Sequence, residues 1–261
     1  MPAAALFSFR ASEPGSAAFA SSAPGLAGVF ARGDVWRGDR LAGAGPAQPS
    51  GHPALDAELP GGGWPAGALV DVLHARPGIG ELALLLPAVA AATARDEWVF
   101  LQAPPFRVFA PAWQAAGVRL SCLVVLDPAG MKSAADELWA AEQVLRSGAV
   151  SIALLWLPRS ATPEQMRRLQ VAAESGGATG FVLQDESRLA QASPAPLRLR
   201  LGTAGGGPVV HVFKRRGAPL SQPVRLGDAP GRPGVSPATA GSGMPDPSDA
   251  LACPGFSAAA A

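Results

Sequence analysis

Five continuous apolar runs of strand length alternate with helix-forming segments across residues 68–184, and this alternation constrains the fold more than any other feature. The runs are ALVDVL (68–73), WVFLQA (98–103), LSCLVVL (120–126), AVSIALLWL (149–157) and ATGFVLQ (178–184). Uninterrupted runs are typical of strands covered on both faces, as in parallel sheets with helices on either side. The pattern predicts an α/β domain with a mostly parallel central sheet.

Two of the intervening helices carry clear start and stop signals. Ser133 followed by Asp136 resembles a capping box, and Gly148 stands where a left-handed cap would end that helix. Thr162 with Gln165 three residues later forms a second capping-box pattern before the helix that ends near residue 177. These signals predict helices over about 133–148 and 162–177.

Two further segments, PLRLRLG and PVVHVFKRR, close the ordered pattern and are joined by TAGGG. Leucine and arginine alternate over 197–201, which predicts a half-exposed strand in an antiparallel hairpin at the end of the sheet. The basic side chains on or beside this hairpin are Arg198, Arg200, Lys214, Arg215 and Arg216. They predict either a solvated edge strand protected by charge or a face that contacts DNA or a partner.

Composition divides the chain into three parts. Residues 51–216 are dense enough in apolar side chains to form a single core domain, whereas residues 217–261 are rich in proline, glycine and alanine and are predicted to be disordered. Residues 1–50 are predicted to form a partly disordered arm. Phe30 and Trp36 in this arm are anchors of the kind that dock on a partner or on the chain's own core.

Several classes of function lack support in the sequence. The formal net charge of +1 gives no general attraction to nucleic acid or to a membrane surface, and no apolar run approaches the roughly 18 residues of a membrane span. Two cysteines fit a reduced, cytoplasmic setting. The histidines, His52, His74 and His211, have no metal-ligand spacing, and each is expected to be hydrogen-bonded or exposed. No metal or cofactor is expected.

The first apolar run leads through HARPGIGEL (74–82) into a helix, as in a phosphate-binding loop. Such loops end in Gly-Lys-Ser or Gly-Lys-Thr. Alignment on Gly80 places Ala75 at the first glycine, with Gly78 inside the turn. It also places Glu81 at the lysine and Leu82 at the magnesium-binding hydroxyl.

A carboxylate about 4 Å from a phosphate oxygen is repelled by about 4 kcal/mol at an effective dielectric constant near 20. We therefore expect a degenerate loop that binds no nucleotide, with the Glu81 side chain occupying the anion position. The alternative is that GIGEL is an ordinary connection between a strand and a helix.

The order of these segments resembles the RecA recombinase core. GHPALDAELPGGGWPAGALVDVL (51–73) resembles the segment that leads into the RecA phosphate loop, and LRSGAVSIALLWL (145–157) resembles the helix end and strand that carry the Walker B aspartate. This resemblance implies a RecA-like three-layer fold. It places Trp156 at the Walker B position and Pro104 at the catalytic glutamate, so both groups are lost here.

Within that superfamily the chain resembles the ImuA family of translesion DNA synthesis. The similarity is carried by VWRGDRL (35–41), GHPALDAELPGGGWP (51–65), PGIGELALLLPA (77–88) and FKRRGAPL (213–220). It implies a non-catalytic adaptor of SOS-induced, mutagenic DNA repair.

The partners implied by this resemblance are an ImuB-like Y-family protein and an error-prone DnaE-like polymerase, with RecA as a further candidate. DNA contact would be indirect. Two alternatives stay open: a SulA-like inhibitor that binds the tubulin-like cell-division protein, and a divergent phosphate-loop ATPase.

Overall fold

The computed structural model describes residues 46–127, 133–158, 160–204, 207–218, 220 and 222–226. Phe30, Trp36 and nearly all of the predicted tail lie outside these residues. The strands are β1 (Ala47–Gln48), β2 (Trp64–Pro65), β3 (Ala68–His74), β4 (Trp98–Gln102), β5 (Leu123–Leu126), β6 (Val150–Trp156), β7 (Thr179–Asp185), β8 (Leu197–Ala204), β9 (Gly207–Lys214) and β10 (Val224–Arg225). The helices are α1 (Pro53–Asp56), α2 (Glu81–Ala94), α3 (Ala110–Ala115), α4 (Ala134–Arg146) and α5 (Pro163–Gly176).

Eight strands form one sheet in the order β10-β9-β8-β3-β7-β6-β4-β5. Neighbours from β8 to β5 are parallel, whereas β9 and β10 are added antiparallel. The prediction of an α/β domain is confirmed at the level of a large mixed sheet flanked by helices. The expected hairpin is the pair β8–β9.

Both faces of the sheet are buried in apolar clusters. Leu154 and Leu155 are neighbours in β6, and because strand side chains alternate they enter different clusters. The cluster that holds Leu154 also contains Trp113 of α3 and the buried side of α2. The opposite cluster holds Leu145 of α4 and Leu169 of α5. Each such side chain stabilises the fold by about 1.5–3 kcal/mol through burial.

The predicted helix starts are confirmed. The Ser133 hydroxyl accepts a hydrogen bond from the Asp136 amide at 3.3 Å and begins α4. Thr162 and Gln165 form a complete capping box at α5, and Gly177 ends that helix with a left-handed φ of 76°. Capping side chains of this kind contribute about 1 kcal/mol each.

A short ribbon, β1–β2, lies at the amino-terminal edge of the parallel strands. The Gln48 side-chain amide donates to the Thr179 hydroxyl at 2.9 Å, and that hydroxyl donates to the Pro65 carbonyl at 3.0 Å. A Cβ on Gly63 would lie 2.1 Å from the Gln48 carbonyl oxygen, so only glycine permits this close approach. The ribbon is therefore fixed to the start of β7.

The LSCLVVL segment differs from its prediction as a buried strand. Its strand begins only at Leu123, after a 3-10 turn over Leu120–Cys122, and β5 forms the outer edge of the sheet. Val124 and Val125 are exposed. An apolar run indicates a strand, but it does not reveal whether a neighbour lies on both sides.

Among the described residues, no helix combines the length and apolar character required to cross a bilayer.

Candidate functional site

The strand–turn–helix predicted from the sequence joins β3 to α2. Residues Ala75 to Gly78 are exposed, and the turn bends through positive φ values of 86° at Gly78 and 117° at Gly80. Such angles favour glycine, which explains why glycine occupies both positions of the turn. Ala75 lines a shallow depression that also includes Asp185 and Arg200.

The Glu81 carboxylate is bonded to the loop that precedes it. The Gly78 amide donates to Oε1 at 2.6 Å, the Gly80 amide donates to Oε2 at 3.2 Å, and the residue is 3% exposed. In a phosphate-binding loop, backbone amides of this kind face the anion. Here two of them bond the chain's own side chain, as expected from the sequence, and the charge also complements the positive end of α2.

Leu82 of the loop and Trp156, the residue aligned with the Walker B aspartate, belong to the core. Leu82 and Trp156 are partly buried and pack against the same apolar cluster. The Trp156 indole Nε1 is buried and has no hydrogen-bond partner among the described residues. Large apolar side chains therefore occupy the two positions that the phosphate-loop comparison aligned with a metal-binding hydroxyl and a metal-binding carboxylate. That this degenerate loop binds no nucleotide stays a prediction.

The three histidines differ in their surroundings. His52 is buried with Nε2 3.2 Å from the Leu84 carbonyl oxygen, and His211 is exposed, as expected. His74 departs from the expectation because it is buried at the end of β3 and neither ring nitrogen has a hydrogen-bond partner within the described part of the chain. The described residues contain no cluster of three or more His, Cys, Asp or Glu side chains suited to a metal ion.

Arg198 is buried rather than solvated, which corrects the prediction for the hairpin. Its Nε donates to the Asp71 Oδ2 at 2.9 Å, and its guanidinium carbon lies 4.9 Å from the centre of the Phe213 ring. β8 is also an interior strand between β9 and β3, so it is not the charged edge that alternation suggested. Burial raises the pKa of the Asp71 carboxyl, while Ser193 and Arg198 oppose that rise.

Asp71 was missed at the sequence level, although a signal was present. It is the one charged residue in the run ALVDVL, and a carboxylate inside a buried strand requires a partner. Its partner, Arg198, lies 127 residues further along the chain.

Most of the remaining basic residues of the hairpin also have partners within the chain. Arg200 pairs with Glu186 at 3.0 Å, Lys214 Nζ donates to the Ser193 carbonyl at 2.8 Å, and Arg215 Nε donates to the Ala218 carbonyl at 2.7 Å. Arg215 also pairs with Glu58 at 3.0 Å. Arg216 is exposed, without an ion pair or hydrogen bond to any described residue. A partner-binding role for Lys214, Arg215 and Arg216 stays a prediction.

Exposed apolar side chains concentrate in the segment from β4 to α4, which includes the edge strand β5. Nine large apolar residues of the described part are exposed, and six of them belong to β4, β5, the connection between these strands or α4. The six are Trp98, Phe106, Phe109, Val124, Val125 and Trp139. Phe106 and Phe109 are each 68% exposed and Trp139 is 61% exposed. Apolar exposure concentrated in this way marks interaction surfaces more often than single exposed residues do.

α4 is held beside this edge by polar contacts. The Gln102 side-chain amide, at the end of β4, donates to the Glu137 carbonyl of α4 at 2.8 Å. Glu142 is buried and pairs with Arg146 of its own helix at 2.6 Å and with Arg168 of α5. Trp139 therefore lies on a helix, α4, that is bonded both to β4 and to α5.

Comparison with known proteins gives a match to one family model over part of the chain. Residues 69–180, less than half of the chain, match the family model described as "Cell division inhibitor SulA". The Cell division inhibitor SulA of Pectobacterium atrosepticum is 33% identical over 104 residues, which cover 40% of this chain and 60% of that protein. The protein of the same name from Edwardsiella piscicida is 34% identical over 119 residues, 43% of this chain and 66% of that protein.

These matches correct the function expected from the sequence. Membership of the ImuA family is not shown, and the prediction of a translesion-synthesis adaptor was wrong. The partners predicted with it, the ImuB-like protein, the DnaE-like polymerase and RecA, are likewise withdrawn. The chain spans about 60% of the length of the first curated relatives that it matches. Its segment from β3 to the start of β7 is similar to the cell division inhibitor SulA.

Proposed function

We propose that this chain is a SulA-like cell division inhibitor that acts by binding the tubulin-like division protein FtsZ. It would do so in the cytoplasm, as part of the SOS response, without catalysing a reaction. The family match over residues 69–180 supports the class of function, and the relatives are named as inhibitors rather than as enzymes.

The structural observation that carries the proposal is the set of exposed apolar side chains in the segment from β4 to α4, around the edge strand β5: Trp98, Phe106, Phe109, Val124, Val125 and Trp139. Aromatic residues are enriched among the side chains that dominate protein–protein binding. β5 also leaves one row of backbone amides and carbonyls unpaired within the described sheet, because β4 is its single neighbour. We propose that FtsZ binds at this edge.

The loop geometry supports binding without nucleotide. Two loop amides are bonded to Glu81, and apolar bulk at Leu82 and Trp156 replaces the metal-holding groups. We therefore propose a RecA-like architecture that has lost its nucleotide site. Residues 51–216 would form most of this core, and β1 and β10 extend it beyond these bounds on either side. A divergent ATPase has no specific observation in its favour.

Expression in a rod-shaped bacterium tests the proposal. The chain is expected to produce filaments in the absence of DNA damage, because division is blocked while growth continues. Phe106→Glu and Trp139→Glu should each restore division, since a charge there would be buried on binding without a partner. Val171→Glu, an equivalent change at an exposed residue of α5, should still produce filaments.

Immunoblotting must show equal protein levels for all four chains. Normal cell length with well-expressed wild-type chain would contradict the proposed function. If both edge variants still produced filaments, the proposed function would stand and the proposed binding surface would be wrong.

A further inference from the structure

A pocket of about 290 Å³ opens at the amino-terminal edge of the parallel strands, on the side of the molecule away from the degenerate loop. Prolines from four separate places in the sequence contribute to its wall: Pro46, Pro60, Pro65 and Pro196. Ala66 and Ala68 add further apolar surface. Pockets that bury small ligands usually measure about 300–1,000 Å³, so this one suits a single large side chain.

Of the polar side chains that line the pocket, Arg216 is the one without a partner among the described residues. Arg215 is bonded to Glu58 and to the Ala218 carbonyl, and Glu174 accepts from the Gln170 side-chain amide at 2.8 Å. Arg216 lines the same pocket but has no ion pair or hydrogen bond to any described residue. A guanidinium in this position can stack on an aromatic ring and pair with a carboxylate.

The chain itself supplies such groups directly beside the pocket. Pro46, which lines the wall, is also the first described residue, so the arm of residues 1–45 leaves from the rim of the pocket. The stretch just before it reads VWRGDRLAGAG (35–45), with Trp36 as its aromatic residue and Asp39 as its carboxylate. The apolar walls are complementary to Trp36, and the unpaired Arg216 is complementary to Asp39.

We propose that Trp36 occupies the proline-walled pocket, with Arg216 against its indole ring and the Asp39 carboxylate near the guanidinium. The contact would tie the arm to the core beside β1 and would cover apolar surface that is otherwise exposed to solvent. This proposal concerns the edge opposite the phosphate-like loop and does not depend on the division partner.

The length of the connection is suitable. Trp36 precedes Pro46 by ten residues, and a flexible stretch of that length has a root-mean-square span of about 17 Å. A tether of this size keeps the side chain at an effective concentration in the millimolar range. At such a concentration even a weak contact of the cation–π type adds to apolar burial.

Fluorine NMR on the full chain labelled with 5-fluorotryptophan tests the proposal. The Trp36 signal is assigned by its loss in Trp36→Phe, and its relaxation by a soluble gadolinium chelate reports its accessibility to solvent. Trp64 is fully buried and Trp139 is exposed, so both serve as internal references.

The Trp36 signal is expected to be protected nearly as well as that of Trp64. Ala66→Phe fills the pocket from an exposed turn position, and Arg216→Asp reverses its free charge. Each should increase the relaxation of Trp36 several-fold while leaving Trp64 unchanged. Arg167→Asp, the same change at an exposed residue of α5, should have no effect.

Two results would overturn the proposal. In the first, the Trp36 signal of the wild-type chain would relax as fast as that of Trp139. In the second, Trp36 would stay protected in both pocket variants, which would show that it is buried at some other place.

Discussion

At the scale of single residues, Glu81 links the first turn of α2 to the loop before it. Its carboxylate accepts two backbone hydrogen bonds, and the residue is almost completely buried. Both the charge and the shape of the side chain therefore contribute to the stability of the loop. A phosphate would have to displace these contacts and approach an unneutralised carboxylate. The side chain predicted to exclude nucleotide therefore also joins the loop to α2.

Glu81→Gln should lower the free energy of unfolding by about 1–3 kcal/mol, because a neutral amide has one acceptor oxygen for two backbone donors and loses the charge that strengthens these hydrogen bonds. Urea denaturation measures the change. Glu137→Gln, also in the first turn of a helix, is the matched control and should alter stability by less than half as much. Equal effects at the two positions would contradict a specific role for the Glu81 contacts.

At the scale of elements, one buried ion pair links β3 to β8. Asp71 and Arg198 are neighbours in register across the two parallel strands, and both are buried. Arg198 Nη2 also donates to the Arg188 carbonyl at 3.2 Å, which connects the pair to the segment that follows β7. A residue that resembled a surface charge in the sequence thus has a structural role.

Arg198→Met should destabilise the chain by about 3–5 kcal/mol, because it leaves the Asp71 carboxylate buried without its partner. The double variant Asp71→Leu/Arg198→Met should recover most of that loss, since replacing a whole buried pair by apolar groups is often neutral. Denaturant unfolding measures both. Arg200→Met, which removes only an exposed pair, should cost at most about 1 kcal/mol. If Arg198→Met were as stable as the wild type, the Asp71–Arg198 pair would not contribute to the stability of the fold.

The elements themselves were largely predictable from sequence, but their neighbours were not. Apolar runs located β3, β4, β6 and β7, and the caps at Ser133 and Thr162 located two helix starts, because these signals are local. Strand order is set by packing between distant segments. For that reason neither the exposed edge at β5 nor the burial of Arg198 could be predicted from residue patterns. The contact of Glu81 with its own loop was predictable because it spans three residues.

At the scale of the whole molecule, the two edges of the large sheet differ. One ends in the two-residue strand β10, whereas the other ends in β5, where apolar side chains and unpaired backbone groups are exposed together. Short strands limit unwanted pairing, and an apolar edge invites it. This difference supports the proposal that a partner protein binds at β5.

The most direct test is the effect of the purified full chain on the assembly of purified FtsZ, followed by light scattering and by co-sedimentation. The wild-type chain should reduce polymer in proportion to its concentration, equally with and without ATP, whereas Phe106→Glu and Trp139→Glu should leave polymer unchanged. Normal FtsZ assembly at a several-fold excess of folded wild-type chain, or inhibition that requires ATP, would contradict the account.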